Sequence, residues 1–135
     1  MNAALALSKY GKIKDDTQTM FASPHQLVLM LFDGAIEAMS MTIGAIQHKN
    51  LELRSKQNTR SITIINGMRD CLDMQAGSEL AENLYSLYQY MAQELFRAGF
   101  KNDVDTIRNI QFMLKDIRDS WENIPLDMHY MQKIN

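Results

Sequence analysis

Residues 23–47 read SPHQLVLMLFDGAIEAMSMTIGAIQ, and this stretch decides the fold class. Ser23 is a favoured residue for a helix N-cap, and Pro24 suits the first helical position because its missing N–H would have no partner there. Gln26 stands three residues after Ser23 and completes a capping box. The stretch therefore predicts a long helix over residues 23–48.

The apolar arc of this helix is wider than one core-facing stripe. Only Asp33 and Glu37 carry a full charge between Pro24 and His48. An ordinary surface helix has an apolar stripe of about 100° or slightly more. We therefore expect a second side of this helix to be covered by an N-terminal arm, by a partner protein, or by both.

Three more helical patterns follow in the long stretch without proline between Pro24 and Pro125. Apolar residues recur in them at helical spacing, and Gly99 is interpreted as the stop of the third helix. Four helices of about 20 to 25 residues with short connections predict an all-α, antiparallel up-and-down four-helix bundle. The predicted segments are a mobile N-terminal arm (1–22), the bundle (23–124) with helices at 23–48, 51–75, 78–99 and 102–124, and a C-terminal tail (125–135).

Composition disfavours several function classes. The chain has 135 residues, 46% of them hydrophobic, which suits one compact domain. Its 14 basic and 16 acidic residues give a net charge of −2, so no nucleic acid is expected as a partner. The single Cys71 cannot form an internal disulfide and no secretion signal is recognisable, so a cytoplasmic (cytosolic) location is expected. The longest unbroken apolar run, Leu27 to Phe32, is too short to span a bilayer, so no membrane insertion is expected.

The chain lacks the patterns that carry enzyme chemistry. None of His25, His48 and His129 follows a Glu by three residues, as a di-iron bundle requires. Asp33 and Glu37 lie one turn apart without a neighbouring His or Cys, and no phosphate-binding loop occurs. We therefore expect no enzyme, no metal and no cofactor. A signalling bundle that accepts phosphate on His25 or His48 is left as the alternative.

Ten short blocks of the sequence follow one another between about residues 10 and 122. They are Tyr10, Ala22-Ser23-Pro24, Leu27, Met30-Leu31-Phe32-Asp33-Gly34-Ala35, Leu72-Asp73-Met74, Asn83-Leu84-Tyr85, Leu87-Tyr88, Tyr90-Met91, Lys101-Asn102-Asp103 and Arg118-Asp119-Ser120-Trp121. In this order the blocks resemble the FliS family of flagellin-specific export chaperones. The resemblance implies an antiparallel four-helix bundle whose client is the disordered C-terminal segment of flagellin. It also implies an N-terminal arm that partly covers the client groove and moves when the client binds.

The resemblance further implies how such a protein works. By occupying the C-terminal segment, the chaperone prevents premature polymerization and keeps flagellin competent for flagellar type III secretion. A component of the flagellar export gate is implied as a second partner, with Tyr10 of the arm contributing to docking. A homodimer of the client-free protein and an adaptor role for a different helical client are left open.

The resemblance also marks individual positions. The predicted client-binding residues are Tyr10, Phe32, Leu72, Asp73, Asn83, Leu84, Tyr88 and Met91. For the apolar members of this set from Phe32 onward, burial in the core is the alternative, since such side chains are usually buried. Ser23, Pro24 and Trp121 are predicted to be structural.

Overall fold

The computed structural model describes residues 23–72 and 79–124, and the four regular elements of these residues are α-helices. They are α1 (Pro24–Gln47), α2 (Leu51–Asp70), α3 (Glu79–Phe100) and α4 (Val104–Glu122). The prediction of an all-α four-helix bundle is confirmed. The predicted arm and tail, together with Tyr10 and Asp73, lie outside the described residues.

Each helix packs against two neighbours, in the order α1, α2, α3, α4 and back to α1. Bonds between α1 and α4 show that these two helices run in opposite directions. Asp33 of α1 pairs with Arg118 of α4 at 2.8 Å. Ser40 follows Asp33 along α1, but it accepts a hydrogen bond at 2.6 Å from Gln111, which precedes Arg118 along α4. These bonds tie the first helix to the last at two points about two helical turns apart.

Capping side chains set the starts of the helices. Ser23 Oγ accepts a hydrogen bond from the Gln26 backbone N–H at 3.1 Å, and Gln26 Oε1 accepts one from the Ser23 N–H at 2.9 Å. The predicted capping box is therefore present. Asn50 and Asp103 cap α2 and α4 by accepting from backbone N–H groups of the first turn. Lys49, with φ of 57°, allows the tight reversal between α1 and α2.

The wide apolar arc of α1 is covered in the free chain. Half of the helix is buried, including the small residues Gly34, Ala35 and Ala38, and Met41 is its one exposed large apolar side chain. Few large apolar side chains therefore remain exposed on α1, and the expected covering by the arm concerns residues outside those described. Four of the seven exposed large apolar side chains of the described residues instead lie on α3: Leu80, Tyr90, Phe96 and Phe100.

Gly99 lies inside α3 and does not end it. The predicted stop is early, because the helix continues to Phe100. A Cβ atom on Gly99 would collide with the side-chain amide of Asn58 on α2. That amide donates from Nδ2 to the carbonyl oxygen of Leu95 at 2.9 Å. Glycine is therefore needed at this position to make room for a bond between α2 and α3.

By length and composition alone, α1 is also apolar enough to cross a membrane. The expectation drawn from the short run Leu27 to Phe32 missed this property of the whole helix. In the bundle, 56% of its most apolar 18-residue window is buried. A helix that is apolar on most sides is typical of a protein core as well as of a membrane span, so burial within the bundle accounts for its composition.

Candidate functional site

An apolar pocket opens between α3 and α4, the neighbouring helices that pack least closely. Its volume is about 230 Å³, larger than the engineered cavity of roughly 150 Å³ that binds benzene. The pocket lies at the end of the bundle where α1 and α3 begin. Its lining residues are Phe32, Leu80, Leu84, Tyr88, Ile117, Ser120, Trp121 and Ile124. This α3–α4 pocket has room for a large apolar side chain of another molecule.

The pocket has a buried floor and an accessible rim. Phe32, Tyr88 and Trp121 are buried and form the floor. On the rim, Leu80 is 44% exposed and Ser120 is exposed as well. No charged side chain of the described residues lines the pocket. Because burying a charge without a partner is costly, the pocket favours an uncharged group.

Trp121 is held in place by His25 at the start of α1. The imidazole Nε2 donates to the carbonyl oxygen of Trp121 at 2.6 Å, and the indole Nε1 donates to the carbonyl oxygen of His25 at 3.0 Å. The two rings are stacked, with centroids 4.9 Å apart. One turn earlier on α4, Arg118 donates to Asp33 at 2.8 Å. These contacts fix the wall that α4 contributes to the pocket.

Tyr88 carries a polar atom into the buried interior of the bundle. Its side chain is fully buried, and its hydroxyl has no hydrogen-bond partner among residues 23–72 and 79–124. Burial raises the pKa of the Tyr88 hydroxyl above its ordinary value, because the charged form loses its solvation. The hydroxyl therefore stays protonated and remains able both to donate and to accept a hydrogen bond.

The structure brings together three of the predicted client-binding residues. Phe32, Leu84 and Tyr88 line the α3–α4 pocket from two different helices. Phe32 and Tyr88 are also part of the hydrophobic core, so for them the core alternative stays open beside the pocket. Leu72 and Met91 belong to the core and do not line the pocket. For these two positions the structure shows burial in the core, which is the alternative stated from the sequence.

The remaining predicted residues within the described ranges lie on or beside α1, α3 and α4. Asn83 is exposed on α3, one residue before Leu84 of the pocket. Pro24 occupies the first turn of α1, and Trp121 joins the end of α4 to the start of α1. Trp121 thus lies both in the helix packing and in the floor of the pocket.

Sequence reasoning missed the rim of the pocket. Leu80, Ile117, Ser120 and Ile124 line it without having been named as site residues. Leu80 and Ile117 belong to apolar rows of their helices, which the periodicity alone assigns to the core. Leu80 and Ile117 differ from core residues of the same rows in their position. Both lie near a helix end, where fewer neighbouring helices cover a side chain.

A second groove runs along α2 and α3 on another side of the bundle. Phe96 and Phe100 are 71% and 77% exposed there, next to Ile62. Most of the other lining residues are polar, among them Arg54 and Arg69. Because its lining is more polar, this groove is a weaker candidate than the α3–α4 pocket for an apolar anchor.

The described residues offer little for catalysis. Residues 23–72 and 79–124 contain no group of three or more His, Cys, Asp or Glu side chains that could hold a metal ion. Cys71 is buried, and the pKa of its thiol is raised mainly because burial disfavours the charged thiolate. A raised pKa leaves less of the reactive thiolate at neutral pH. The site is therefore suited to binding an apolar group.

Comparison with known proteins identifies the family. The sequence model described as "Flagellar protein FliS" matches residues 6–127. The chain is 33% identical to the flagellar secretion chaperone FliS of Vibrio cholerae over 92% of its own length and 91% of the relative. It is 34% identical to the proteins of the same name from Salmonella typhimurium (92% and 93% of the two chains) and Escherichia coli (98% of each). The chain belongs to the FliS family of flagellar secretion chaperones.

Proposed function

We propose that this protein is a cytosolic chaperone that binds the disordered C-terminal segment of flagellin. By holding that segment it prevents premature polymerization and keeps flagellin competent for flagellar type III secretion. The observation that carries this proposal is the apolar, uncharged pocket between α3 and α4 in a member of the FliS family. The same family membership supports a role as a chaperone without catalysis.

The geometry supports binding of an amphipathic helix. Such a segment places apolar side chains one turn apart into a groove between the helices of its partner. Phe32, Leu84 and Tyr88 offer the floor and one wall, and Leu80 extends the apolar surface outward. A disordered client that folds on this surface buries apolar area in exchange for its ordering entropy.

Further parts of the proposal rest on the family resemblance. Tyr10 contacts the client or the export gate, and Asp73 and Asn83 orient the client's backbone. The N-terminal arm covers the groove and yields to the client.

The phosphotransfer alternative receives less support from the two described histidines. His25 is buried and donates from Nε2 to Trp121, so a phosphoryl donor has poor access to it. His48 caps the C-terminal end of α1, where its Nδ1 donates to the Gly44 carbonyl at 2.8 Å. A phosphate there would face the negative end of the helix dipole. Binding of a helical client is therefore the better supported function.

A charge at the rim of the pocket tests the proposal. We expect Leu80→Glu to weaken binding of the flagellin C-terminal segment by at least about tenfold, because the carboxylate would have to be desolvated by the client. Leu80 is 44% exposed in the first turn of α3. A carboxylate is favourable near a helix N-terminus, so the fold should be retained. Titration calorimetry measures the affinity, and circular dichroism measures the helicity gained on binding.

The matched control is Phe112→Glu, which places the same charge on a side chain of α4 that is 67% exposed and lies outside the pocket. This variant should bind the segment at about 1:1 with wild-type affinity. Equal binding by wild type and Leu80→Glu would argue against this pocket. Absence of binding by the wild-type protein would overturn the proposed function itself.

A further inference from the structure

We propose that the C-terminal tail, residues 125–135, occupies the α3–α4 pocket in the client-free protein and is displaced by the client. Ile124 is the last described residue before the tail, and it lines the pocket. The tail is therefore joined to the chain at the pocket itself. The inference rests on the proposed function where it concerns the client, whereas occupation of the pocket by the tail is measurable without one.

The pocket offers the tail an apolar surface that water reaches. Leu80 on its rim is 44% exposed, and no charged side chain of the described residues lines it. Covering such a surface with apolar side chains is favourable, because less of it is then in contact with water. With a volume of about 230 Å³, the pocket has room for a Met or a Tyr side chain.

The composition of the tail suits this pocket. The tail reads PLDMHYMQKIN, and its middle stretch, residues 128–132, contains no Asp, Glu, Lys or Arg. That stretch holds Met128, Tyr130 and Met131. Methionine is flexible and polarizable and adapts to irregular apolar surfaces. The stretch can therefore enter the pocket without desolvating a charge, which would be costly there.

The short connection keeps the tail close to the pocket. One residue advances the chain by at most about 3.6 Å, so the Cα atom of Met128 lies within about 14 Å of the Cα atom of Ile124. A segment tethered this closely has an effective concentration in the millimolar range. Even a weak contact, with a dissociation constant of about 1 mM, is then formed much of the time. A client that needs the pocket binds only the fraction of molecules whose pocket is open.

The N-terminal arm joins the bundle at the same end. Ser23 caps α1, and His25 in the first turn of α1 contacts Trp121. Neither Ser23 nor His25 lines the pocket, however, whereas Ile124, to which the tail is joined, does. This connection favours the tail over the arm as the occupant of the pocket. The arm then covers the client surface outside the pocket.

The first measurement needs no client. Trp121 is the single tryptophan of the chain and lies in the floor of the pocket, so quenching of its fluorescence by acrylamide reports access to the pocket. The full-length triple variant Met128→Ser, Tyr130→Ser, Met131→Ser should be quenched more strongly than wild type, because its tail no longer covers the pocket. Quenching equal to that of wild type would overturn the inference.

The matched control carries three substitutions at polar positions of the tail: Asp127→Ser, Gln132→Ser and Lys133→Ser. It keeps the apolar side chains, so its quenching should equal that of wild type. Increased quenching in the control would contradict the role given to the apolar residues. The arm is tested by Met20→Ser with Phe21→Ser. An increase in this variant, without one in the triple variant, would place the arm in the pocket and overturn the inference.

The second measurement adds the client. By titration calorimetry, the triple variant should bind the flagellin C-terminal segment about 2- to 10-fold more tightly than wild type, because the client no longer competes with a tethered tail. The control variant should bind like wild type. Equal affinities of the triple variant and wild type would contradict displacement of the tail by the client. Failure of all the proteins to bind the segment would instead count against the proposed function, while the quenching result would still decide whether the tail fills the pocket.

Discussion

At the residue scale, Gly99 shows how one missing side chain shapes the bundle. Asn58 occupies the space that a Cβ atom on Gly99 would need, and its amide bonds the Leu95 carbonyl at 2.9 Å. From the sequence, Gly99 reads as a helix stop, which is the commonest role of a glycine near a helix end. The close approach of Asn58 comes from another helix and leaves no trace in the local pattern.

We expect Gly99→Ala to lower the free energy of unfolding by about 1 to 3 kcal/mol, because the new methyl group forces Asn58 away from its bond to Leu95. Urea denaturation monitored by circular dichroism measures this change. Gly44→Ala is the matched control, since nothing lies within 4 Å of a Cβ there. The control should be neutral or gain up to about 1 kcal/mol from helix propensity. Equal effects of the two substitutions would contradict the role assigned to Asn58.

At the scale of one element, the start of α4 depends on a small polar cluster. Asp103 caps the helix by accepting from the Thr106 N–H at 3.1 Å and from the Thr106 hydroxyl at 2.7 Å. Arg97, near the end of α3, pairs with Asp103 at 3.2 Å. The pKa of Asp103 is lowered, mainly because the hydrogen bonds from Thr106 stabilise its charged form. The ion pair with Arg97 lowers this pKa further.

A lowered pKa in the folded state predicts a pH-dependent contribution of Asp103 to stability. The contribution is present above the unfolded pKa, which is about 3.9 for Asp. It is lost as the pH falls through the lower folded pKa, because the folded carboxylate is then protonated as well. Asp103→Asn keeps a capping oxygen but loses the charge, and Asn is a comparably good N-cap.

We therefore expect wild type to be more stable than Asp103→Asn at about pH 7, with the difference shrinking towards about pH 2. Urea midpoints of the two proteins, measured side by side across this range, provide the test. Other carboxylates titrate equally in both proteins, so their effects cancel in the difference. A difference that does not change with pH would contradict the charged role of Asp103.

At the scale of the whole molecule, the fold was largely predictable from helical periodicity and from the cap at Ser23. The four helices and their order follow from local patterns, and short connections favour antiparallel neighbours. The covering of α1 was not predictable, because an arc of apolar residues does not say whether its own chain or a partner buries it. The same ambiguity applies to Met91 and Leu84, which lie on one face of α3. The sequence pattern does not tell that Met91 packs in the core whereas Leu84 lines the pocket.

The pocket itself arises from how the bundle closes at one end. α3 and α4 pack less closely than the other neighbours, and the reciprocal hydrogen bonds between His25 and Trp121 hold the end of α4 against α1. The gap that remains on the α3 side is apolar and uncharged. Such a gap depends on the packing of three helices, which explains why the sequence pattern indicated only part of its lining.

The most direct test of the central claim is a titration of the isoleucine-methyl NMR spectrum of the protein with the flagellin C-terminal segment. Ile117 and Ile124 line the α3–α4 pocket, whereas Ile62 lies in the groove between α2 and α3. We predict that the methyl signals of Ile117 and Ile124 shift most and saturate at about one equivalent of the segment. Saturable binding that leaves both of these signals in place would contradict the account.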